Sequence, residues 1–351
     1  MGKKVRIGLI GLGFMGSTHF RIHCANPDAE VVALADVDPV KRNGDISAVI
    51  GNIGNDDNSK PLDFTGIAVY DDPFRMIAEA DIDMVDICTP TPFHADLIIA
   101  ALKAGRHVFS EKPLCRDMAQ MNAIAEAVRK SDRFFNVGLC IRAWPEYRHA
   151  KELYDSGRLG KVLCATFRRL SPTVIGGGAW NNWFCDGKMS GGALLDLHMH
   201  DADAITYFFG RPKKVTALGI SGVRCPGAID HVVANYDYED GTVICAEGSW
   251  IFERATPFQM TFIIKCEKAT LRLGTDGYAI YWADGTTEKP QCAAADAPTG
   301  WHVELKYFVD CVKNGIRPDK YQTLDSVLDS FRLIMAEQQS VDEKRAVAIN
   351  Y

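Results

Sequence analysis

Two stretches of the chain carry residue types at spacings that chemistry requires. Gly11-Leu12-Gly13-Phe14-Met15-Gly16 is a G-x-G-x-x-G run, and Asp36 follows twenty residues after Gly16. Between a strand and a helix such a run binds a dinucleotide. Gly11 permits the tight turn, Gly13 lets a pyrophosphate approach the backbone, and Gly16 lets helix and strand pack closely. The helix that opens at Phe14 and Met15 turns free N–H groups toward the phosphates. Asp36 is placed to accept hydrogen bonds from the adenosine ribose, which favours NAD, while Lys41 and Arg42 lie close enough to leave NADP open.

The second stretch is Gly191-Gly192-Ala193-Leu194-Leu195-Asp196-Leu197-His198-Met199-His200-Asp201-Ala202-Asp203. Read as a strand, it would put Asp196, His198 and His200 on one face, where they can chelate a metal. Read as a helix, it separates His198 from His200 and aligns Asp196, His200 and Asp203 at i, i+4 and i+7. Leu195, Met199, Ala202, Ile205 and Phe209 recur at helical spacing, and the run is longer than a typical strand. The helix is therefore expected over 192–209, with no metal. Asp196 then orients His200 and favours its protonated form, giving a base that titrates near neutrality. His198 taken alone reads as a satisfied core histidine.

A nicotinamide enzyme that oxidises an alcohol needs such a base, and also a donor for the developing alkoxide. Lys112, in Ser110-Glu111-Lys112-Pro113, supplies the donor if it sits at the carboxyl edge of a parallel sheet; otherwise it is a solvated turn lysine. Trp183, in Ala179-Trp180-Asn181-Asn182-Trp183-Phe184, joins Arg142, Trp144 and Tyr147 in a set of aromatics, amides and a cation suited to a polyol or sugar ring. The same aromatics equally suit core or subunit contacts. Arg168 and Arg169 point to opposite faces of a strand, so at most one can meet an acidic sugar.

The elements that must position these residues can be read from periodicity. Apolar runs at Val5 to Ile10, Val31 to Ala35, Met84 to Cys88, His107 to Ser110 and Phe134 to Val137 alternate with helical patterns at 15–25, 73–80, 94–104 and 117–130. That alternation gives an α/β, doubly wound parallel sheet of the Rossmann type over 1–137. From 138 to 351 the rhythm changes to an α+β domain. A helix at 145–156 and a strand at 161–170 lead to strands near 231–238, 242–250, 259–264, 269–273 and 278–282, which imply a large open antiparallel sheet. Two closing helices follow, near 301–313 and 323–339. The segment 43–66, rich in Gly, Asn and Asp, reads as an inserted surface loop.

Composition narrows the function. At 351 residues the chain is long enough for two domains, and 47% apolar with 24% charged residues exclude a disordered or fibrous architecture. A net charge of -6 without a basic block argues against nucleic acid or an anionic membrane, leaving a small-molecule partner. The eleven cysteines are odd in number and include no C-x-x-C pair, as expected for reduced thiols in the cytoplasm. Lys3 to Gly16 reads as strand and turn rather than as a signal peptide, and no apolar run is long enough to span a membrane.

The chain resembles the Gfo/Idh/MocA family of glucose-fructose oxidoreductases and inositol dehydrogenases. The resemblance rests on Gly11 to Gly16, Cys88-Thr89-Pro90-Thr91-Pro92-Phe93-His94, Glu111-Lys112-Pro113, Gly191-Gly192 with Asp196 and His200, and Tyr307-Phe308-Val309-Asp310-Cys311 with Gly315 and Pro318. It implies that Lys112, Asp196 and His200 surround nicotinamide and substrate, with His200 as acid/base. It also implies that Thr89, Pro90, His94 and Glu111 border the cofactor, and that the second sheet is buried between subunits of a homodimer or homotetramer. His198 and the 43–66 insertion depart from the family pattern. The expected reaction is NAD(P)-linked oxidation of a secondary hydroxyl of a sugar or cyclitol. Rival readings are a glycosidase that oxidises its substrate transiently and a non-catalytic NAD-responsive regulator.

Overall fold

In a computed structural model, which describes residues 3–51, 60–172 and 180–351, the expected strand Val5–Ile10 (β1) is buried almost throughout, as a central parallel strand must be. It is joined in parallel by β2 (Ala29–Ala35), β3 (Ala68–Tyr70), β4 (Met84–Ile87), β5 (His107–Ser110) and β6 (Phe135–Val137). The order is β3-β2-β1-β4-β5-β6. It reverses direction between β1 and β4, the switch point at whose carboxyl edge ligands of such sheets bind.

The helices of this part are α1 (Phe14–Ala25), α2 (Pro39–Arg42), α3 (Pro73–Glu79), α4 (His94–Lys103) and α5 (Met118–Lys130). Side-chain caps fix three of their starts. Asp38, Asp72 and Asp117 each accept from first-turn N–H groups. The 43–66 segment is not wholly a surface loop. Ile46 and Val49 are buried, and Leu62 and Phe64 pack on a cluster of Leu9, Leu12, Phe20, Val31 and Leu34. Single apolar residues among Gly and Asp give no periodic signal, yet each removes apolar area from water. Residues 52–59 of that segment, and Ala179 of the aromatic loop, lie outside the described residues.

The chain divides into two units, and the division departs from a single cut near 137. The first unit runs to Leu139 and takes back Trp301–Leu324, together with a short piece ending at Trp183. The reason is apolar burial. Leu305, Phe308 and Val309 share a core cluster with Val5, Ile7, Ile22, Met84 and Phe109.

The second unit carries α6 (Pro145–Asp155), α7 (Gly187–Ser190), α8 (Gly192–Asp196), α9 (Met199–Phe209) and, after α10 (Gly300–Asn314) of the first unit, α11 (Leu324–Glu343). Its nine-stranded sheet comprises β7 (Val162–Pro172), β8 (Lys214–Ser221), β9 (Ile229–Asp237), β10 (Val243–Phe252), β11 (Gln259–Cys266), β12 (Ala269–Gly274), β13 (Gly277–Trp282), β14 (Thr287–Glu288) and β15 (Val347–Ala348). The expected antiparallel sheet is in fact mixed, because β7 at its centre pairs antiparallel with β11 and parallel with β10.

One face of this sheet is packed. Phe167 and Phe262 meet Tyr147 of α6 and Phe208 of α9, and the Ala217 N–H donates to Ser340 of α11. The other face carries Leu218, Val233, Val243 and Ile263, all exposed. No described helix is long and apolar enough to cross a membrane, and the eleven cysteines are free thiols.

Candidate functional site

The glycine turn has the geometry a pyrophosphate needs. Gly11 has φ +90°, and a Cβ there would lie 2.6 Å from the Cys88 carbonyl oxygen. At Gly16 a Cβ would stand 1.8 Å from the Gly11 carbonyl oxygen. Gly13, by contrast, has nothing within 4 Å of a built Cβ, so its side faces open space beside the first turn of α1. No described protein atom requires glycine there, which leaves room for a ligand to pass against the backbone.

Asp36, at the end of β2, reinforces the turn. Its carboxylate accepts the Leu12 N–H at 2.6 Å and the Asp38 N–H at 2.8 Å. A carboxylate has about four acceptor positions, and these two bonds use two of them. Arg42 donates to the Asp36 main-chain oxygen at 2.7 Å, which places a cation beside the same residue. Phe14 and Met15 open α1 half-buried, with the Phe14 ring edge-on to Trp301.

Thr89 and Pro90 follow β4 and remain half-buried at the carboxyl edge of the sheet. His94, expected beside the cofactor, is buried. Its Nδ1 lies 2.8 Å from the Pro113 carbonyl and its Nε2 2.7 Å from that of Thr89. His94 thus stands between the Thr89 turn and the Lys112-Pro113 loop and ties the two together. Burial pushes its pKa down, against the two carbonyls that favour the imidazolium. Lys112 is half-buried just beyond β5, and its N–H donates to Oε2 of Glu111 at 3.1 Å.

In the second unit the helix expected over 192–209 is broken. α8 ends at Asp196 and α9 begins at Met199, with the N–H groups of Leu197 and His198 both donating to the Ala193 carbonyl. Gly191 to Met199 are all buried; His200 is the first residue of the run to reach the surface. Its surroundings are heavily braced. His198 Nε2 lies 3.0 Å from Glu337 and 3.3 Å from the Tyr236 hydroxyl, which itself donates to Glu337 at 2.9 Å. Burial opposes the His198 charge, but Glu337 raises its pKa above the ordinary value. This histidine is a core tie.

Arg169 donates to Asp201 at 2.9 and 3.2 Å. Arg142, expected to bind substrate, is buried, donating to Asp203 at 2.9 and 2.6 Å and to Ser326 at 3.0 Å. Its charge is matched by Asp203 of α9. These partners lie 32 or more residues apart in sequence, beyond the reach of spacing arguments. Arg168 faces the other way, to Glu247, as strand alternation requires. Trp144 and Trp183 are half-buried, and Asp196 is buried.

A pyrophosphate cradle at the switch point of a 3-2-1-4-5-6 parallel sheet, with an acid on the second strand, defines a dinucleotide-binding protein of the Rossmann class. Comparison with known proteins narrows the class. The model of the Gfo/Idh/MocA oxidoreductase family with its NAD-binding Rossmann fold matches residues 5–139, and that of the family's C-terminal domain matches 147–272. The chain belongs to the Gfo/Idh/MocA family and is an NAD-dependent oxidoreductase.

Among its relatives is a scyllo-inositol 2-dehydrogenase (NAD(+)) of Bacillus subtilis, 28% identical over 338 residues, covering 91% of this chain and 89% of the relative. An inositol 2-dehydrogenase of Rhizobium meliloti is 32% identical over 214 residues, covering 61% of this chain and 58% of the relative. The solved structure of scyllo-inositol dehydrogenase from Lactobacillus casei with bound NAD(H) and scyllo-inositol is also similar. It is 25% identical with a TM-score of 0.77, and 99% of each chain is covered.

Proposed function

We propose that the protein oxidises a secondary hydroxyl of a cyclitol or sugar, with Lys112, Asp196 and His200 as its working side chains. The observation that carries this reading is the open cradle at Gly13, where no described protein atom lies within 4 Å of a built Cβ. NAD would lie across Gly11 to Gly16 with its adenosine ribose on Asp36, its pyrophosphate on the α1 N-terminus and its nicotinamide toward Thr89, Pro90 and Lys112. When bound, it supplies the hydride acceptor.

The remaining work belongs to protein groups. His200, at the surface end of a buried run, takes the hydroxyl proton, and Asp196 orients it. The Lys112 ammonium stabilises the oxygen as negative charge develops on it. Trp144 and Trp183 supply aromatic faces for the ring. Relatives that act on inositols support a polyol substrate. The exposed apolar face of the nine-stranded sheet supports pairing with a second copy of this chain, and the free thiols suit a cytoplasmic setting.

The test is incubation with NAD and a panel of inositols, glucosides and anhydrosugars while absorbance of reduced cofactor is followed. Net accumulation is expected, with Lys112→Met and His200→Ala each lowering kcat by roughly 10²–10⁴-fold and leaving NAD affinity within a few fold. Sugar release without net reduced cofactor would instead assign the transient-oxidation glycosidase. Silence across the panel despite NAD binding would refute the substrate class.

A further inference from the structure

The reaction just described uses none of the ionisable groups buried beneath the Lys112 loop. His19 of α1 is fully buried, its Nδ1 3.0 and 3.2 Å from the two oxygens of Asp86 on β4. Its other nitrogen, Nε2, stands 3.2 Å from Oε1 of Glu111, an ion-pair contact without hydrogen-bond geometry. His23, one turn along, places Nε2 2.8 Å from the same Asp86, and the Cys88 sulfur lies 3.3 Å from His19 Nδ1. The Phe109 ring closes the cluster edge-on.

Glu111 is the link outward, because its second oxygen accepts the Lys112 N–H. Gly138 makes room for that carboxylate, since a Cβ there would come within 2.7 Å of Oε1. With one carboxylate hydrogen-bonded to Nδ1 and a second within ion-pair distance of Nε2, the ring is favoured in its doubly protonated, charged form. A neutral ring would turn a lone pair on one of them. Burial works against that charge, but Asp86, by its charge and its hydrogen bond, holds the His19 pKa well above its ordinary value.

We propose that His19 is a positioning residue for the reaction: bridging Asp86 and Glu111, it fixes the carboxylate that anchors the main chain of Lys112, and so directs the amine toward the reacting oxygen. This rests on the reading of Lys112 as the group that stabilises that oxygen. Without the bridge Glu111 becomes a buried anion without its cation, whose field favours the Lys112 ammonium and loosens the loop. Among the described residues, Asp86 and Cys88 of the β4 segment, Glu111 after β5 and His23 of its own helix face His19, while His94 bears on both Glu111 and Lys112.

The experiment uses the full chain as wild type, His19→Gln, Glu111→Gln, the double variant and Lys112→Met. NAD affinity is read by protein fluorescence. Turnover is read with whichever panel polyol is oxidised. The pH midpoint of Lys112 reductive methylation, read by peptide mass spectrometry, needs no substrate. His19→Gln should keep NAD affinity within a few fold, lose kcat by up to roughly 10²-fold as expected for a misplaced group, and move the methylation midpoint to higher pH. The double variant should bring the midpoint back, because the unmatched charge is gone.

If His19→Gln does not fold, Glu111→Gln breaks the same bridge from its other end and should lose kcat while moving the midpoint down. An active Lys112→Met would overturn the reading of Lys112 and this proposal with it. An inactive Lys112→Met beside a His19→Gln of wild-type kcat and midpoint would overturn this proposal alone. Stoichiometric zinc that is lost in Cys88→Ser would also overturn it. The ligating atoms of His19, Asp86 and Cys88 lie within 4.8 Å of one another, and a metal-bound Nδ1 cannot donate to Asp86.

Discussion

Gly13 and Gly16 differ in what a methyl group would meet, and the difference separates binding from folding at single-residue resolution. Gly13→Ala adds a group to open space, so the melting temperature should stay within a few degrees of wild type while NAD affinity collapses. Gly16→Ala drives a methyl into the Gly11 carbonyl, so stability and binding should fall together. Thermal melts paired with NAD titration check both. His19 makes a pH prediction whose sign follows from its raised pKa. A histidine that binds its proton more tightly when folded contributes most below the unfolded value near 6.5, and the contribution fades as pH climbs through the higher folded value. Urea unfolding at pH 5.5, 7.5 and 9 should therefore show the advantage of wild type over His19→Gln largest in the most acidic sample.

The element that matters most in the second unit is α9, and its setting depends on three buried partnerships: His198 with Glu337, Arg169 with Asp201 and Arg142 with Asp203. Removing one partner of such a pair leaves the other charge stranded. Arg142→Ala should cost about 3–5 kcal/mol in urea unfolding, with NAD affinity unchanged. A variant of wild-type stability but raised substrate KM would return Arg142 to the substrate site. None of these partnerships was legible in the sequence, which shows types and spacing but not which distant side chains meet.

The β-α rhythm was legible because strands buried on both faces are apolar throughout, as at Val5–Ile10. β3, only Ala68–Tyr70 and largely exposed, left no such mark, and β8 has mostly exposed positions over Lys214–Ser221. The helix break at Leu197 and His198 was hidden for another reason: the residues on both sides of it are buried, so the apolar period runs straight through. Of the site, the turn, Asp36 and the Lys112 position could be found from motifs. The partners of His94 and Arg142 could not, because they are set by distant parts of the chain rather than by residue type.

For the whole molecule, the nine-stranded sheet leaves one face with Leu218 70% and Val243 63% exposed beside Val233 and Ile263. Exposed apolar residues of this kind, beside the Arg168–Glu247 pair on the same face, are what the proposed pairing would cover. Ile263→Lys combined with Leu218→Lys should shift the molar mass measured by light scattering toward the single chain; a wild type that is already a single chain would refute the pairing. The return of α10 to the first unit bears on how the protein is made. The cluster of Val5, Ile7 and Phe109 lacks Leu305, Phe308 and Val309 until the ribosome has added about 170 residues beyond Leu139, roughly 10–30 s at ordinary elongation rates. Throughout that interval the nascent nucleotide-binding half exposes an unfinished apolar surface, so a gene fragment ending near residue 140 should yield aggregates, whereas one that appends 300–324 through a flexible tether should yield a soluble NAD-binding polypeptide.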